Sequence, residues 1–290
     1  MIKKFCNAFI LFAMILAAGC TVYKDKEYEP IDDNGCTIIE ADIESLLIGD
    51  DSRVWTDGAA IGVYGSELGK NEMYTIKDAG VGLNSAAFYG PVVKGNISAY
   101  YPYSESYIAS YESMPVMLSA DQEFDRDASA LQQYMKYTPR AYGYQTDSKI
   151  KFVYPNGLLK VLVDFQETLL VENITVSSDS LKLAGLGVFK SDAELEMAAN
   201  ASGSVTLDCG EGVYSKSEGT AQEFYLVVLP GVYDDLTLTI GIANEEPFIC
   251  ALPSLTIERI DDSELRMASV KLQSSGPAGF DEDTSVKFEE

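Results

Sequence analysis

Histidine is absent from the 290 residues. Without an imidazole there is no Ser–His or Cys–His nucleophilic pair, no histidine metal ligand and no histidine acid or base. Positive charge is scarce: 21 Lys and Arg stand against 45 Asp and Glu, a formal net charge of −24. Such a surface repels nucleic acid and anionic lipid head groups, so neither is expected as a partner. The acids form no Asp-x-Asp-x-Asp-Gly loop with a downstream Glu, and no metal site is expected. Tryptophan occurs once and cysteine five times, too few for a disulfide framework. No apolar run reaches the roughly 20 residues that a membrane-spanning helix needs.

What is present is a strand-forming, core-forming composition. Hydrophobic residues make up 47% and aromatics 11%, enough for a packed interior. Carboxylate-only catalysis, as in glycosidases, remains open. Paired acids occur at Asp32-Asp33, Asp50-Asp51, Asp234-Asp235 and Asp261-Asp262, each in a turn-like stretch. Exposed Asp in turns is the default, so these read as solvated loop acids. No catalytic residue and no cofactor are expected, and the chain does not read as an enzyme.

The first residues read as an export signal. Lys3 and Lys4 precede an eleven-residue apolar run, Ala8 to Ala18, of the length of a signal-peptide core. Ala17-Ala18-Gly19 lead directly to Cys20. This resembles the bacterial lipobox, in which a peptidase cuts before a cysteine that then carries lipid. Ala17 stands where leucine is usual, with Leu16 one place earlier. Residues 1–19 are expected to be the signal and Cys20 the lipidation site. Residues 20–36 are expected to be a polar, acidic tether above an outer membrane.

Beyond the tether the pattern is strand-like almost throughout. Leu236, Leu238, Ile240 and Ile242 alternate with polar or small residues, and Leu159, Val161, Val163 and Phe165 share one face. Phe224 to Leu229 is apolar on both faces, which predicts a central, doubly covered strand ended by Pro230-Gly231. Only Ala128–Met135 reads as a helix or turn. Cys209 and Cys250 each alternate with apolar residues and point inward; a disulfide between them and two free thiols are both open. The expected class is all-β, two β-sandwich domains over 37–147 and 148–273, with 274–290 as a C-terminal tail. Residues 284–288 alternate again and could form an isolated terminal strand.

Several segments, in order, resemble the fimbrillin family of the Bacteroidales. Trp55 to Tyr64 resembles the family's opening, a Trp before a Gly-containing turn and an Ile-Gly-Val-Tyr strand. Ala99-Tyr100-Tyr101-Pro102-Tyr103 is similar to an Ala-Tyr-Tyr-Pro-Tyr segment. Phe152 to Leu159 resembles the start of a second domain, with Tyr154 where His is usual. Tyr225 to Pro230, then Tyr233, resembles a later strand and turn. The match spans about residues 50–245.

The resemblance implies two transthyretin-like (Ig-like) sandwiches and a type V pilus route. Precursors would reach the outer membrane through lipid on Cys20. An arginine-specific protease would then cut off the first strand, and the vacated groove would take a C-terminal strand from another fimbrial subunit. The segment to be displaced is Cys36–Ile48. Ile39, Ala41 and Ile43 alternate there, while Leu46 and Ile48 fall in another phase, which points to a break. Arg53 follows it, the only arginine before Arg126, so the Arg53–Val54 bond is the expected cut. The donor is expected at Arg266–Leu272 or Thr284–Phe288; the first reads equally as the last strand of its own domain. The subunit would sit in a surface fimbrium at a tip, accessory or anchor position, with a role in adhesion to a host or bacterial surface ligand. The alternative is a surface glycan-binding lipoprotein that uses Tyr100, Tyr101, Tyr103 and Tyr107 as stacking surfaces.

Overall fold

The structure is a computed structural model. It describes residues 37–43, 47–48, 51–52, 54–67, 69–138, 140–145, 149–165, 167–190, 194–217, 220–259, 268–274 and 285–287. Cys20, Cys36 and Arg53 lie outside the described residues.

The first eleven strands are β1 (Thr37–Ile43), β2 (Leu47–Ile48), β3 (Asp51–Ser52), β4 (Ala60–Gly65), β5 (Glu72–Ile76), β6 (Ser85–Gly90), β7 (Ile97–Tyr101), β8 (Ser113–Leu118), β9 (Asp121–Glu123), β10 (Ala141–Gln145) and β11 (Ile150–Val153). The next seven are β12 (Gly157–Phe165), β13 (Leu170–Ser177), β14 (Gly185–Lys190), β15 (Leu195–Met197), β16 (Ser204–Tyr214), β17 (Lys216–Ser217) and β18 (Thr220–Val228). The last six are β19 (Gly231–Tyr233), β20 (Thr237–Ile242), β21 (Phe248–Ala251), β22 (Leu255–Ile257), β23 (Ala268–Ser274) and β24 (Ser285–Lys287). The class is all-β, as the alternation predicts.

One group of strands closes on itself in the order β1-β11-β10-β7-β4-β5-β6, with β6 pairing back to β1. An open sandwich and a barrel differ in whether sheet edges meet, and here they meet through β1. Period-two alternation divides these strands between two environments. Ile61, Val63, Ile97, Ala99, Ala141, Ile150 and Phe152 belong to the main core, while Tyr64, Tyr100, Tyr142 and Val153 form a second cluster on the outer face with Met114, Val116 and Phe189. The second cluster is therefore roofed by β8 and β14, neighbours in the three-stranded sheet β15-β14-β8.

The remaining strands form two five-stranded sheets, β17-β18-β12-β23-β24 and β21-β20-β13-β16-β9. Leu159, Val161, Val163 and Phe165 of one sheet and Ile174, Val176, Leu238 and Ile240 of the other are buried in the same core cluster, and the Phe165 and Phe248 rings meet at 5.6 Å. Strand pairing crosses residue 148 in both directions: β11 pairs with β1 and β10, whereas β8 and β9 pair with β14 and β16.

Two local readings are refined. The helix α1 spans Ala130–Tyr137, two residues later than the sequence pattern placed it. Ser129 sets its start through a capping box: Gln132 N donates to Ser129 Oγ (3.3 Å), and Ser129 N donates to Gln132 Oε1 (2.8 Å). The strand at 224–228 is covered on both faces, but β17 pairs with β18 only at Thr220 and Ala221. The Gln122 side chain stands in for a neighbouring strand, with Nε2 donating to Val227 O (2.7 Å) and Val227 N donating to Oε1 (3.0 Å).

Candidate functional site

The strand that closes the barrel has alternate residues Thr37, Ile39, Ala41 and Ile43 turned inward and fully buried. Glu40 points outward and is exposed. β1 runs antiparallel to β6, with Thr37 to Asp42 opposite Gly90 to Ser85, and parallel to β11, with Ala41 to Ile43 beside Ile150 to Phe152. On the outer side Lys149 Nζ lies 3.4 Å from Asp42 and 4.0 Å from Glu40. Such exposed pairs contribute little. The strand is held by its two ladders and by inward apolar contact, with burial of the two isoleucines supplying about 3–6 kcal/mol together. Take it away and β6 and β11 keep unpaired backbone groups on either side of an apolar slot.

The predicted phase break after β1 is present. Residues 47–48 pair with 51–52 as a separate small hairpin, β2 with β3. Val54 follows, half-buried, and then Trp55, which is 1% exposed. Trp55 is pinned by its backbone, N to Leu83 O (2.9 Å) and O from Gly82 N (2.8 Å). Its ring meets Phe88, Tyr101 and Phe152 edge-on at 4.8, 5.1 and 5.7 Å. Its indole Nε1 donates to the carbonyl of Ala41 in β1 at 3.3 Å. The sequence marked Trp55 as a motif residue but gave no sign of this bond, which joins two segments fourteen residues apart.

At the other end of the chain, Ala268–Ser274 forms β23 in parallel register with Leu159–Phe165 of β12. Arg266 and Met267 lie outside the described residues. The segment Ser285–Lys287 is not isolated: it pairs antiparallel with Lys271–Gln273 of β23. Thr284 and Phe288 also lie outside the described residues, and the described parts of both expected donor segments are in strands of this chain's own sheet, one inside it and one at its edge.

Of the four tyrosines proposed as a sugar platform, Tyr100 is internal and Tyr101, Tyr103 and Tyr107 are half-buried. Tyr100 is fully buried, its ring lies 4.3 Å from that of Tyr107, and its hydroxyl donates to Ser104 O at 2.8 Å. Tyr107 and Tyr142 both donate to Pro115 O of β8, at 2.7 and 3.0 Å. Arg140 sits over the Tyr107 ring at 4.5 Å. Burial raises the hydroxyl pKa of Tyr64 and of Tyr142 to about 12, so these groups stay protonated donors at any physiological pH. The Ile-Gly-Val-Tyr strand has a packing reason as well: Gly62 stands opposite Tyr100, and a Cβ there would lie 2.1 Å from the tyrosine ring.

Other chemistry-bearing residues have structural roles. Asp235 accepts from Ser178 Oγ (2.6 Å), Asp179 N (3.0 Å) and Ser180 N (2.9 Å), which holds the 178–180 loop. These hydrogen bonds, that of Ser178 first, hold its carboxyl below the ordinary value. Cys209 and Cys250 are free and buried, and burial raises their thiols to about 12 and about 11. An open cavity of about 340 Å³ beside Phe124, Arg126, Gln133 and Tyr225 has its guanidinium bonded to Gly212 O at 3.0 Å.

Comparison with solved structures bears on what this architecture is. A Bacteroides ovatus protein assigned to cell adhesion superposes with a TM-score of 0.54 at 15% identity, covering 91% of this chain and 96% of its own. A second such protein, from Bacteroides uniformis, gives 0.51 at 15% identity, covering 88% and 99%. The chain has the fold of these two proteins. A fimbrial protein from Bacteroides vulgatus is a more distant likeness, with a TM-score of 0.48 at 12% identity over 87% of this chain and 98% of its own. No family model matches the sequence, and no curated protein does.

Proposed function

We propose that the chain is a non-catalytic, surface-exposed fimbrial subunit of the outer membrane that assembles by β-strand addition. In this reading the barrel and the two five-stranded sheets are the cores of two domains. The chain is exported behind residues 1–19 and lipidated on Cys20. It is then cut between Arg53 and Val54, and β1 leaves its slot. An extended C-terminal strand of a neighbouring subunit takes its place and restores both ladders and the inward apolar contacts. A subunit that kept its lipid and β1 would serve as an anchor; one whose slot is filled belongs to the fibre or its tip.

The observation that carries the reading is the position of β1. It is the first described strand of the closed barrel, paired on both sides, its inward residues are buried in alternation, and the single arginine of the region lies ten residues beyond its end. A second feature supports it. β23 at home runs parallel to β12, and β1 runs parallel to β11. A C-terminal strand entering a neighbour's slot would meet the same strand polarity it has in its own sheet. The fold shared with proteins assigned to cell adhesion fits a surface role.

Mass spectrometry of protein shed and purified from the cell surface tests this. The expected result is lipid on Cys20 in the precursor and a new N-terminus at Val54 in assembled material. Polymers built of chains that retain an intact Arg53–Val54 bond would rule the processing step out. Polymer formation by a chain lacking residues 268–290 would rule out the C-terminal donor.

A further inference from the structure

The strand-addition reading says that a strand enters the slot; it does not say in which register. A strand displaced by one residue would turn its polar face inward, and one displaced by two would keep its apolar face inward with the wrong residues opposite each pocket. Something in the slot has to tell these apart. We propose that Trp55 is the register-setting residue of the β1 slot, and that it selects a strand with a small residue, alanine or glycine, flanked at two residues on either side by larger aliphatic ones. This rests on the strand-addition reading and makes it more specific.

Three observations carry it. The indole Nε1 donates to Ala41 O, a backbone atom of the strand that occupies the slot; this excludes a one-residue slip, while a two-residue slip offers an equivalent carbonyl and is left to the side chain at that height. The residue that supplies this carbonyl is alanine, fully buried between inward Ile39 and Ile43. The ring itself cannot shift to admit more, because Phe88, Tyr101 and Phe152 surround it and both its backbone groups are bonded to the 82–83 turn. Ala41 and Trp55 are buried in one core cluster, and in this proposal a larger side chain at the height of Ala41 overpacks the space beside the indole. Trp55 also lies on the retained side of the Arg53–Val54 bond and Ala41 on the departing side. Loss of β1 leaves a buried N–H without its acceptor, and an incoming carbonyl satisfies it.

The C-terminal segments differ by this criterion. Ala268 in β23 is a small residue with Val270 two places on but Arg266 two places before, whereas Ser285–Lys287 has Val286 at its centre. The β23 segment therefore meets the criterion on one side only, and the terminal one on neither.

Two measurements on the full chain test the proposal. In the first, denaturant midpoints are compared for Ala41→Val, Trp55→Phe and the double variant. The double variant is expected to fall by clearly less than the two single shifts together, since the smaller ring vacates the space that the valine methyls need. Additive shifts would overturn the proposal. In the second, fluorescein-labelled peptides copying residues 37–43, with Ala or Leu at the height of Ala41, are incubated below the unfolding midpoint, where β1 opens locally. Anisotropy is expected to show a preference of about tenfold or more for the alanine peptide on the wild-type chain, and a narrower one on Trp55→Phe. Equal binding of both peptides to the wild-type chain also overturns it. Coupled midpoints with neither peptide bound would sink assembly by strand addition while the register contact of Trp55 with β1 stands. Because Trp55 is the only tryptophan, its emission gives an independent readout of slot occupancy in the wild-type chain.

Discussion

The two ends of the described chain dock in the same manner on neighbouring halves of one stretch, residues 150–165. β1 lies parallel to β11 and antiparallel to β6; β23 lies parallel to β12 and antiparallel to β24. The proportions are inverted. β1 has its long ladder on the antiparallel side and only Ala41–Ile43 on the parallel side, whereas β23 has seven residues in register on the parallel side and three on the antiparallel side. The β1–β11 joint is thus one of the two shortest of the barrel, with the two-pair β5–β6 joint beside it, whereas β12–β23 is a long one. The two strands differ in how their pairing is divided between the parallel and the antiparallel side.

The largest expected effect attacks the joint beneath β1. Phe152→Ala removes a fully buried ring of β11 that also packs against Trp55, and is expected to cost about 3–5 kcal/mol. Native-state hydrogen exchange should show β1 amides losing protection well before those of β23. Equal loss at both ends would erase the comparison. On the β12 side, Gln122→Leu leaves Val227 N–H and C=O without their partner, at about 1–3 kcal/mol. Denaturant unfolding measures it, and β1 protection should stay intact.

Gly62→Ala is expected to cost about 1–3 kcal/mol through overpacking, because the added Cβ meets Tyr100. Near-ultraviolet circular dichroism should report the displaced tyrosine. The smallest effect is a pH dependence at Asp235. Its folded pKa lies below the unfolded one, so its hydrogen bonds stabilise fully above about pH 4 and are lost as pH falls through the folded value. Asp235→Asn should flatten that part of the acid unfolding curve, and a curve unchanged in shape would remove Asp235 from it.

Much of the strand content was legible because burial on one face writes itself into period two. Leu238, Ile240 and Ile242, and Leu159, Val161, Val163 and Phe165, are buried as their alternation says. Alternation names a face and not a neighbour, so closure of the barrel through β1 and the crossing of β8 and β9 to the other strands could not be read. The tyrosines show the same limit. Tyr100 fills an internal seam with Tyr107 and Arg140, and a one-dimensional cluster of tyrosines reads equally as a seam or a sugar platform. Of the candidate site, β1 and its phase break were visible in the residues. The indole hydrogen bond to Ala41 and the pair of hydrogen bonds between Gln122 and Val227 were not, since each joins segments that only the fold brings together.

The continuous stretch 150–165 has a mechanical meaning for a polymer. If a neighbour's strand lies along β11 and this chain's own end lies along β12, tension enters and leaves through two parallel ladders on a single covalent track. Each ladder is then loaded in shear, with its rungs sharing the strain together, and the surface loops carry none of the pull.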